Sequence, residues 1–327
     1  MKSLDAEEIW KMSKENFISL LESGVFFNDS RSIHFFVPSF VHYKNKFFRS
    51  FYNSFPSISV TGSSCALNCK HCNMKVLNTM TPALSPTELF KVCKKLKTDG
   101  ATGCLISGGC DSEGKVPLSI FLDTFRQIKT ELGLTLAVHT GLVDCSMATQ
   151  LKNAGVDSVL VDIIGSDETI KEIYNLDVTV KSYEQSLKAL QNSKIPFIPH
   201  VLVGLHCGHL KGEFEALQII AKFSPSALIV IALMPIRGTP MENVDPPEPI
   251  DIVRTLVCAK LLMPNVPVVL GCMRPKSEHR KQTDVLAIKA GVDAIAFPVE
   301  EAIQTALSMN LEVSFFSVCC SQIYEMI

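Results

Sequence analysis

Short apolar strand patterns alternate with helical patterns along most of this 327-residue chain, and this alternation limits the fold more than any other feature. β-Branched and aliphatic runs predict eight strands, at 57–61, 103–107, 134–139, 158–163, 197–203, 227–233, 266–271 and 294–297. Helical patterns lie between them, near 86–98, 118–132, 146–154, 181–193, 212–223, 249–262 and 281–290. This order predicts an α/β fold, a (β/α)8 TIM-type barrel, with an open, partial barrel of six units as the alternative.

The two ends of the chain fall outside this alternation. Residues 4–22 have the apolar spacing of an amphipathic helix. An aromatic stretch without clear periodicity follows, and residues 311–327 read as an appended tail with a strand-like run at 313–318. We therefore expect an N-terminal helical and aromatic extension at 1–56, a barrel at 57–305 and a C-terminal tail at 306–327. The aromatic stretch contains Phe26, Phe35, Phe36, Phe40, Phe47 and Phe48.

Composition narrows the class of protein. The net charge of −2 gives no general basic field for nucleic acid, and 47% hydrophobic residues suit a large core. No signal peptide or membrane-length apolar run is visible, so we expect a cytoplasmic protein. In a reducing compartment the 12 cysteines are not expected to form disulfides. Some are expected to ligate metal, while Cys93, Cys104 and Cys258 fit apolar core positions.

Cys65, Cys69 and Cys72 form the most specific motif of the chain. Three thiolates separated by three and then two residues can hold three irons of a [4Fe–4S] cluster and leave one iron without a protein ligand. Zinc loops instead favour C-x2-C pairs, and chance spacing is the other alternative in a cysteine-rich chain. The motif directly follows the first predicted barrel strand, at the face where barrel active sites lie, and this position favours the cluster.

This spacing resembles the radical S-adenosylmethionine (SAM) signature, whose three ligands match Cys65, Cys69 and Cys72 one for one. The resemblance implies that SAM chelates the open iron and that one electron from the cluster cleaves SAM to a 5′-deoxyadenosyl radical. His71, before the third cysteine, stands where the family usually has an aromatic residue, near adenine.

The resemblance also implies SAM contacts where predicted strands end. Ser107-Gly108-Gly109 resembles the family's Gly-Gly-Glu segment for the SAM amino group, although Cys110 replaces the acidic residue. A plain strand-to-loop turn is the alternative there, and a solvated helix-start lysine is the alternative for Lys181. The implied contacts, for the amino group, ribose, carboxylate and adenine, are His71, Ser107, Gly108, Gly109, Asp162, Lys181 and Leu205.

Segments 234–241, 251–254 and 261–264 resemble biotin synthase and its relatives, and the resemblance covers roughly 57–300. Biotin synthase carries a second cluster inside its barrel, held by three cysteines and an arginine. Those places fall on residues here that cannot bind iron: Ile106, Ala137, Ile198 and Val269.

Other cysteines are candidates for a replacement cluster. Cys272, Cys319 and Cys320, with Cys110 as first choice and Cys207 as second choice for the fourth ligand, could hold a second [4Fe–4S] cluster. The alternative is that these are buried or incidental thiols.

A biotin-synthase-like barrel with a different auxiliary cluster resembles the two-protein (split) lipoyl synthases. That resemblance implies a sulfurtransferase that inserts cluster sulfur into an unactivated C–H bond of a protein-bound octanoyl or mercapto-octanoyl chain. Its partners would be an octanoylated carrier (a lipoyl domain or a glycine-cleavage H-type protein), a second radical SAM protein and a low-potential donor such as ferredoxin or flavodoxin.

Three alternatives remain at this point. The first is a radical SAM enzyme of the biotin synthase, methylornithine synthase or hydrogenase-maturation type that acts on a small metabolite. The second is a non-enzymatic iron–sulfur scaffold or electron carrier. The third, a zinc-binding nucleic-acid module, lacks both the charge and a second ligand pair.

Overall fold

The computed structural model describes residues 4–26, 32–38, 43–50 and 53–326, so Phe40 and Ile327 lie outside the described ranges. One curled sheet contains every strand of the described residues, and each pair of neighbouring strands is parallel. In chain order, β1 to β11 are Ser32–Phe36, Ser57–Ser59, Thr81–Pro82, Gly103–Ser107, Thr135–His139, Ser158–Asp162, Phe197–Val203, Leu228–Ala232, Val268–Leu270, Ala294–Ala296 and Glu312–Phe316.

The sheet stays open. Its spatial order is β11-β1-β10-β9-β8-β7-β6-β5-β4-β2-β3, and within the described ranges β3 and β11 are not hydrogen-bonded to each other. The predicted TIM-type α/β fold is confirmed in its partial form. The eight predicted strands are β2 and β4 to β10, with ends that differ by one or two residues.

Helices cover the outer face of the sheet between the strands. In chain order, α1 to α11 are Ala6–Lys11, Lys14–Glu22, Pro86–Thr98, Leu122–Gln127, Cys145–Asn153, Asp167–Tyr174, Val180–Ser193, Glu213–Ile220, Pro249–Leu262, Ser277–Lys289 and Glu300–Ser308. Short 3-10 helices lie at Lys75–Thr79, Ser119–Phe121 and Cys320–Glu325, and a π-helical turn at Ile128–Leu132 extends α4. No helix in the described part of the chain combines the length and apolar character needed to cross a bilayer.

The single helix predicted at 4–22 is two helices, because the chain breaks between α1 and α2. Ser13 begins α2, and its hydroxyl accepts a hydrogen bond from the Asn16 N–H at 3.3 Å. Arg254 of α9 donates to the carbonyl oxygens of Ile9 at 2.6 Å and Met12 at 2.7 Å. The guanidinium therefore satisfies the carbonyls that the end of α1 leaves unpaired.

Residues 32–36, predicted as irregular, form β1 between β10 and β11. The tail is not an appendage, since β11 extends the same sheet and the Phe36 and Phe316 rings stack at 5.4 Å. Parallel pairing joins segments that are far apart in the chain, so the local pattern does not reveal it. The domain boundaries at 56/57 and 305/306 stay a prediction.

The concave side of the sheet holds a separate apolar cluster, here called the inner core. Ile323 is fully buried in it, and Cys320 is 4% exposed. The 3-10 helix Cys320–Glu325 thus fills the lower interior, where Gln322 donates to the Ser158 hydroxyl at 3.2 Å. The remaining buried members are Phe36, Val37, Phe55, Ala137, Leu160, Ile198, Ala227, Ile229, Val269, Ala294, Ala296 and Phe297.

Candidate active site

The loop with Cys65, Cys69 and Cys72 follows β2 and is fixed by backbone hydrogen bonds to its neighbours. The Ala66 N–H donates to the Cys110 carbonyl oxygen at 2.8 Å, which ties the loop to the segment after β4. The Lys70 N–H donates to the Ile173 carbonyl oxygen at 2.8 Å, which ties it to the end of α6. The loop is thereby held at the carboxyl ends of the strands.

The three thiols lie close enough to affect one another's ionisation. Hydrogen bonding from the Cys69 thiol, together with the smaller effect of His71, lowers the pKa of Cys72 to about 4 despite burial. The same contact and burial raise the pKa of Cys69 far above its usual range, with the charges of Cys72 and Cys65 adding to the shift. Three converging sulfurs, one of them a ready thiolate, fit the ligand set of an iron–sulfur cluster.

His71 has a polar atom directed into the site. Its Nδ1 is buried and has no hydrogen-bond partner within the described ranges. The ring lies 5.1 Å from the Tyr174 ring, which holds it at the edge of the cysteine loop. A buried nitrogen without a partner is costly, so this orientation fits a site whose ligand supplies the missing contact.

Gly109 lets the segment after β4 approach the cysteine loop. A Cβ there would overlap the Ser64 carbonyl oxygen and lie 2.7 Å from the Cys65 Cα. The Gly109 N–H donates to the Thr61 hydroxyl at 2.6 Å. At Gly108 the nearest atoms to such a Cβ, those of Thr61, would be 3.0 Å away. Close backbone packing therefore places the Ser107-Gly108-Gly109 segment beside the cysteine loop. The contact of this segment with SAM stays a prediction.

Asp162 ends β6 and points into the interior beside two histidines. Its Oδ1 lies 3.5 Å from His139 Nε2, and the rings of His139 and His200 are 5.7 Å apart. Burial raises the pKa of Asp162, but His139, His200 and His71 together lower it to about 2. Burial lowers the pKa of His200 to about 4. The group thus pairs a carboxylate with a neutral imidazole.

A cavity beside β6 and β7 brings together two of the predicted SAM contacts. Asp162 and Leu205 both line it, with Thr169 and Lys211 at other parts of its wall. The two residues thus lie close together, and their contacts with SAM stay predictions. Lys181, by contrast, is exposed in the first turn of α7, and its predicted contact with the SAM carboxylate stays a prediction.

The other candidate cysteines fall into separate groups. Burial raises the pKa of Cys272 to about 11, with the nearby charge of Cys319 as the next cause, and hydrogen bonding from Cys320 lowers the pKa of Cys319 to about 7. Those three therefore lie together against the inner core. Cys110 lies beside the cysteine loop, because burial and the charge of Cys65 raise its pKa to about 12. Cys207 is exposed.

The places predicted for a biotin-synthase-type second cluster carry no iron ligand. Ala137, Ile198 and Val269 are fully buried in the inner core. Ile106 is also fully buried but faces the outer core under the helices, so the inward positions of β4 are its neighbours Leu105 and Ser107.

His139 and His200 are functional candidates that the sequence analysis missed. Both occupy inward positions of strands that are otherwise apolar, one at the end of β5 and one within β7. A polar residue inside such a run was the available signal, but nothing in the sequence shows that the two meet Asp162.

Comparison with known proteins agrees with this geometry. Residues 59–216 match the family described as "Radical SAM superfamily", and residues 230–310 match the "Biotin and Thiamin Synthesis associated domain". Biotin synthase from Psychromonas ingrahamii is 26% identical over 250 residues, covering 73% of this chain and 69% of that protein. Biotin synthase from Rickettsia felis is 26% identical over 253 residues, covering 73% and 78%.

Two solved structures share the fold. Methylornithine synthase superposes with a TM-score of 0.64 at 13% identity, covering 98% of this chain and 95% of its own. A maturase of the [FeFe]-hydrogenase from Carboxydothermus hydrogenoformans has a TM-score of 0.63 at 14% identity, covering 95% and 75%.

These findings correct the predicted substrate. The lipoyl synthase assignment, with its octanoylated carrier, was wrong, because the matching relatives are named biotin synthase. The radical SAM assignment, with its [4Fe–4S] cluster and SAM, is confirmed. Residues 59–216, which contain the cysteine loop, are a domain of the radical SAM superfamily, and a domain associated with biotin and thiamin synthesis follows at 230–310.

Proposed function

We propose that this protein is a radical SAM enzyme that acts on a small metabolite bound inside the half-barrel, in the manner of biotin synthase or methylornithine synthase. The observation that carries the proposal is the lining of the interior. His139, Asp162 and His200 form a polar layer above the inner core, and the 3-10 helix Cys320–Glu325 closes the space below.

This lining favours a compact, polar substrate. The Asp162 carboxylate and the histidine imidazoles retain a need for polar partners, so an acyl chain placed against them would forgo much of its hydrophobic gain. The side chain of Asp162 is 31% exposed and that of His139 is 25% exposed, so both remain accessible from the open end of the half-barrel. A small molecule with hydrogen-bonding groups fits between the cysteine loop and the inner core.

The chain's own residues prepare the site for radical chemistry. Cys65, Cys69 and Cys72 would hold the [4Fe–4S] cluster, which when bound supplies the electron that cleaves SAM. Gly109 allows the strand ends to approach the loop. The buried side chains of the inner core exclude water from below, which protects a reactive carbon centre from unwanted hydrogen transfer. A low-potential electron donor is implied as a partner.

A second metal cluster at Cys272, Cys319 and Cys320 stays part of the proposal. The supporting observation is the mutual influence of these thiols on the concave side of the sheet. Cys110, the first choice for the fourth ligand, neighbours Cys65, and its part in a second cluster stays a prediction.

The test follows hydrogen from the substrate. The anaerobically reconstituted, reduced protein is incubated with SAM and with fractions from fully deuterated cells, separated into small molecules and proteins. Mass spectrometry of the 5′-deoxyadenosine product then shows which fraction donates deuterium. We expect deuterium with the small-molecule fraction; deuterium with the protein fraction alone would refute the proposal.

The matched control is Cys72→Ala, which should abolish 5′-deoxyadenosine with both fractions. Iron analysis of the same samples addresses the second cluster. About four irons per chain indicate one cluster, and about eight indicate two. Replacing Cys272 or Cys320 should lower the higher count while SAM cleavage persists.

A further inference from the structure

We propose that His139, Asp162 and His200 bind a single divalent transition-metal ion inside the half-barrel, at a site separate from the cysteine loop. Nothing in the radical SAM assignment requires such an ion, and the inference does not depend on which substrate the enzyme uses.

The three side chains come from successive strands and converge on one point. Asp162 of β6 is in register with His200 of β7, and His139 ends the neighbouring β5. One ligand atom from each residue lies within 4.8 Å of the other two. Ligand atoms around a tetrahedral ion, with metal–ligand bonds near 2.1 Å, are roughly 3.4 Å apart. Small side-chain rotations are enough to close the remaining difference.

The histidine tautomer is already set for metal binding at His200. Its Nδ1 lies 3.1 Å from the Ile198 carbonyl oxygen, and a carbonyl only accepts, so Nδ1 carries the proton. The lone pair is therefore on Nε2. A ligating histidine whose other nitrogen donates to a backbone carbonyl is the usual outer-shell arrangement of metal sites.

The carboxylate lacks the partners that would make it a purely structural group. Within the described ranges its recorded side-chain partner is His139, at the long distance of 3.5 Å. The apolar neighbours Ala137, Leu160 and Ile198 lie below it. The carboxylate oxygens can accept further contacts, and a divalent cation held by the two imidazoles would supply one. Two histidines and one carboxylate with open positions are the ligand set of non-haem Fe(II), and Zn(II) and Co(II) accept the same donors.

Cobalt(II) titration tests the site in the full-length chain. In the parent protein for this test, serine replaces the thiol ligands of both proposed clusters, and the protein is stripped of metal before titration; the replaced residues are Cys65, Cys69, Cys72, Cys272, Cys319 and Cys320. We expect one Co(II) per chain with ligand-field absorption. In His139→Ala, Asp162→Asn and His200→Gln on the same background, binding should weaken by more than the roughly 10- to 100-fold that loss of an outer-shell partner costs.

His209→Ala is the matched control, because His209 is exposed and outside the group; it should bind Co(II) like the parent. Circular dichroism confirms that each variant is folded. The proposal is overturned if the parent binds no Co(II), or if the three variants bind Co(II) as tightly as the parent. If Asp162 binds only SAM, the parent will bind no Co(II).

Discussion

Single atoms decide how closely the strand ends approach the cysteine loop. Gly109 is required by space rather than by backbone conformation, since an added Cβ would meet the backbone of Ser64 and Cys65. Backbone atoms cannot move aside as a flexible side chain can. Gly109 therefore links the end of β4 to the position of Cys65, a predicted cluster ligand.

Gly109→Ala should displace the loop and lower the rate of SAM cleavage by about 100-fold, as expected for a shift of about 1 Å in reacting groups. The measurement is 5′-deoxyadenosine formation together with bound iron. Gly133→Ala is the control, because a Cβ there meets nothing within 4 Å and only its φ of 59° is strained. Equal losses of cleavage in both variants would contradict the steric argument.

At the scale of elements, a buried carboxyl joins the loop after β7 to the start of α8. Glu213 is 4% exposed and accepts hydrogen bonds from the N–H groups of Gly204 at 2.8 Å and Lys211 at 2.5 Å. Burial raises its pKa from 4.5 to about 7, against the effect of those two donors. Because the folded pKa lies above the unfolded value, its contribution is present below pH 4.5 and is lost as the pH rises to 7.

Glu213→Gln removes this ionisation. The difference in unfolding free energy between wild type and variant should therefore fall by about 3 kcal/mol from pH 4.5 to 7, measured by denaturant unfolding of metal-free protein. The difference is the useful quantity, because the lowered pKa of His200 gives wild type an opposite slope. Glu278→Gln, at an exposed site, is the control. A difference that stays constant with pH would mean that Glu213 is ionised throughout.

For the whole molecule, the last residues matter because they complete the interior. Ile323 is fully buried in the inner core, and the Tyr324 hydroxyl donates to the Asp157 carbonyl oxygen at 3.2 Å. The tail thus packs against strands that precede it by more than a hundred residues. Without the 3-10 helix Cys320–Glu325, the open half-barrel would expose its concave apolar face to water.

Ile323→Ala should lower the free energy of unfolding by about 2–5 kcal/mol, the range for deleting a buried aliphatic side chain. Chemical denaturation under anaerobic conditions measures the change. Leu307→Ala, at a side chain that is 47% exposed, should stay within about 0.5 kcal/mol of wild type. If the two variants were equally stable, the tail would not occupy the interior in solution.

Local signals in the sequence predicted most of the strands and the cysteine loop. β-Branched runs between glycine stops located β2 and β4 to β10, because these signals act over a few residues. The spacing of Cys65, Cys69 and Cys72 likewise indicated a cluster loop, since three thiolates on one loop are a local arrangement. The substrate was misjudged from the same cysteine inventory, because ligand count does not describe the shape or polarity of a cavity.

What these elements enclose depends on contacts between distant parts of the chain. β1 was missed because its partner residues in β10 and β11 lie 260 and 280 residues away along the chain. The meeting of His139, Asp162 and His200 depends on the register of three parallel strands, and the position of Cys110 beside Cys65 depends on the pairing of β4 with β2. Such contacts come from long-range pairing and packing, for which the period of a single strand carries no information.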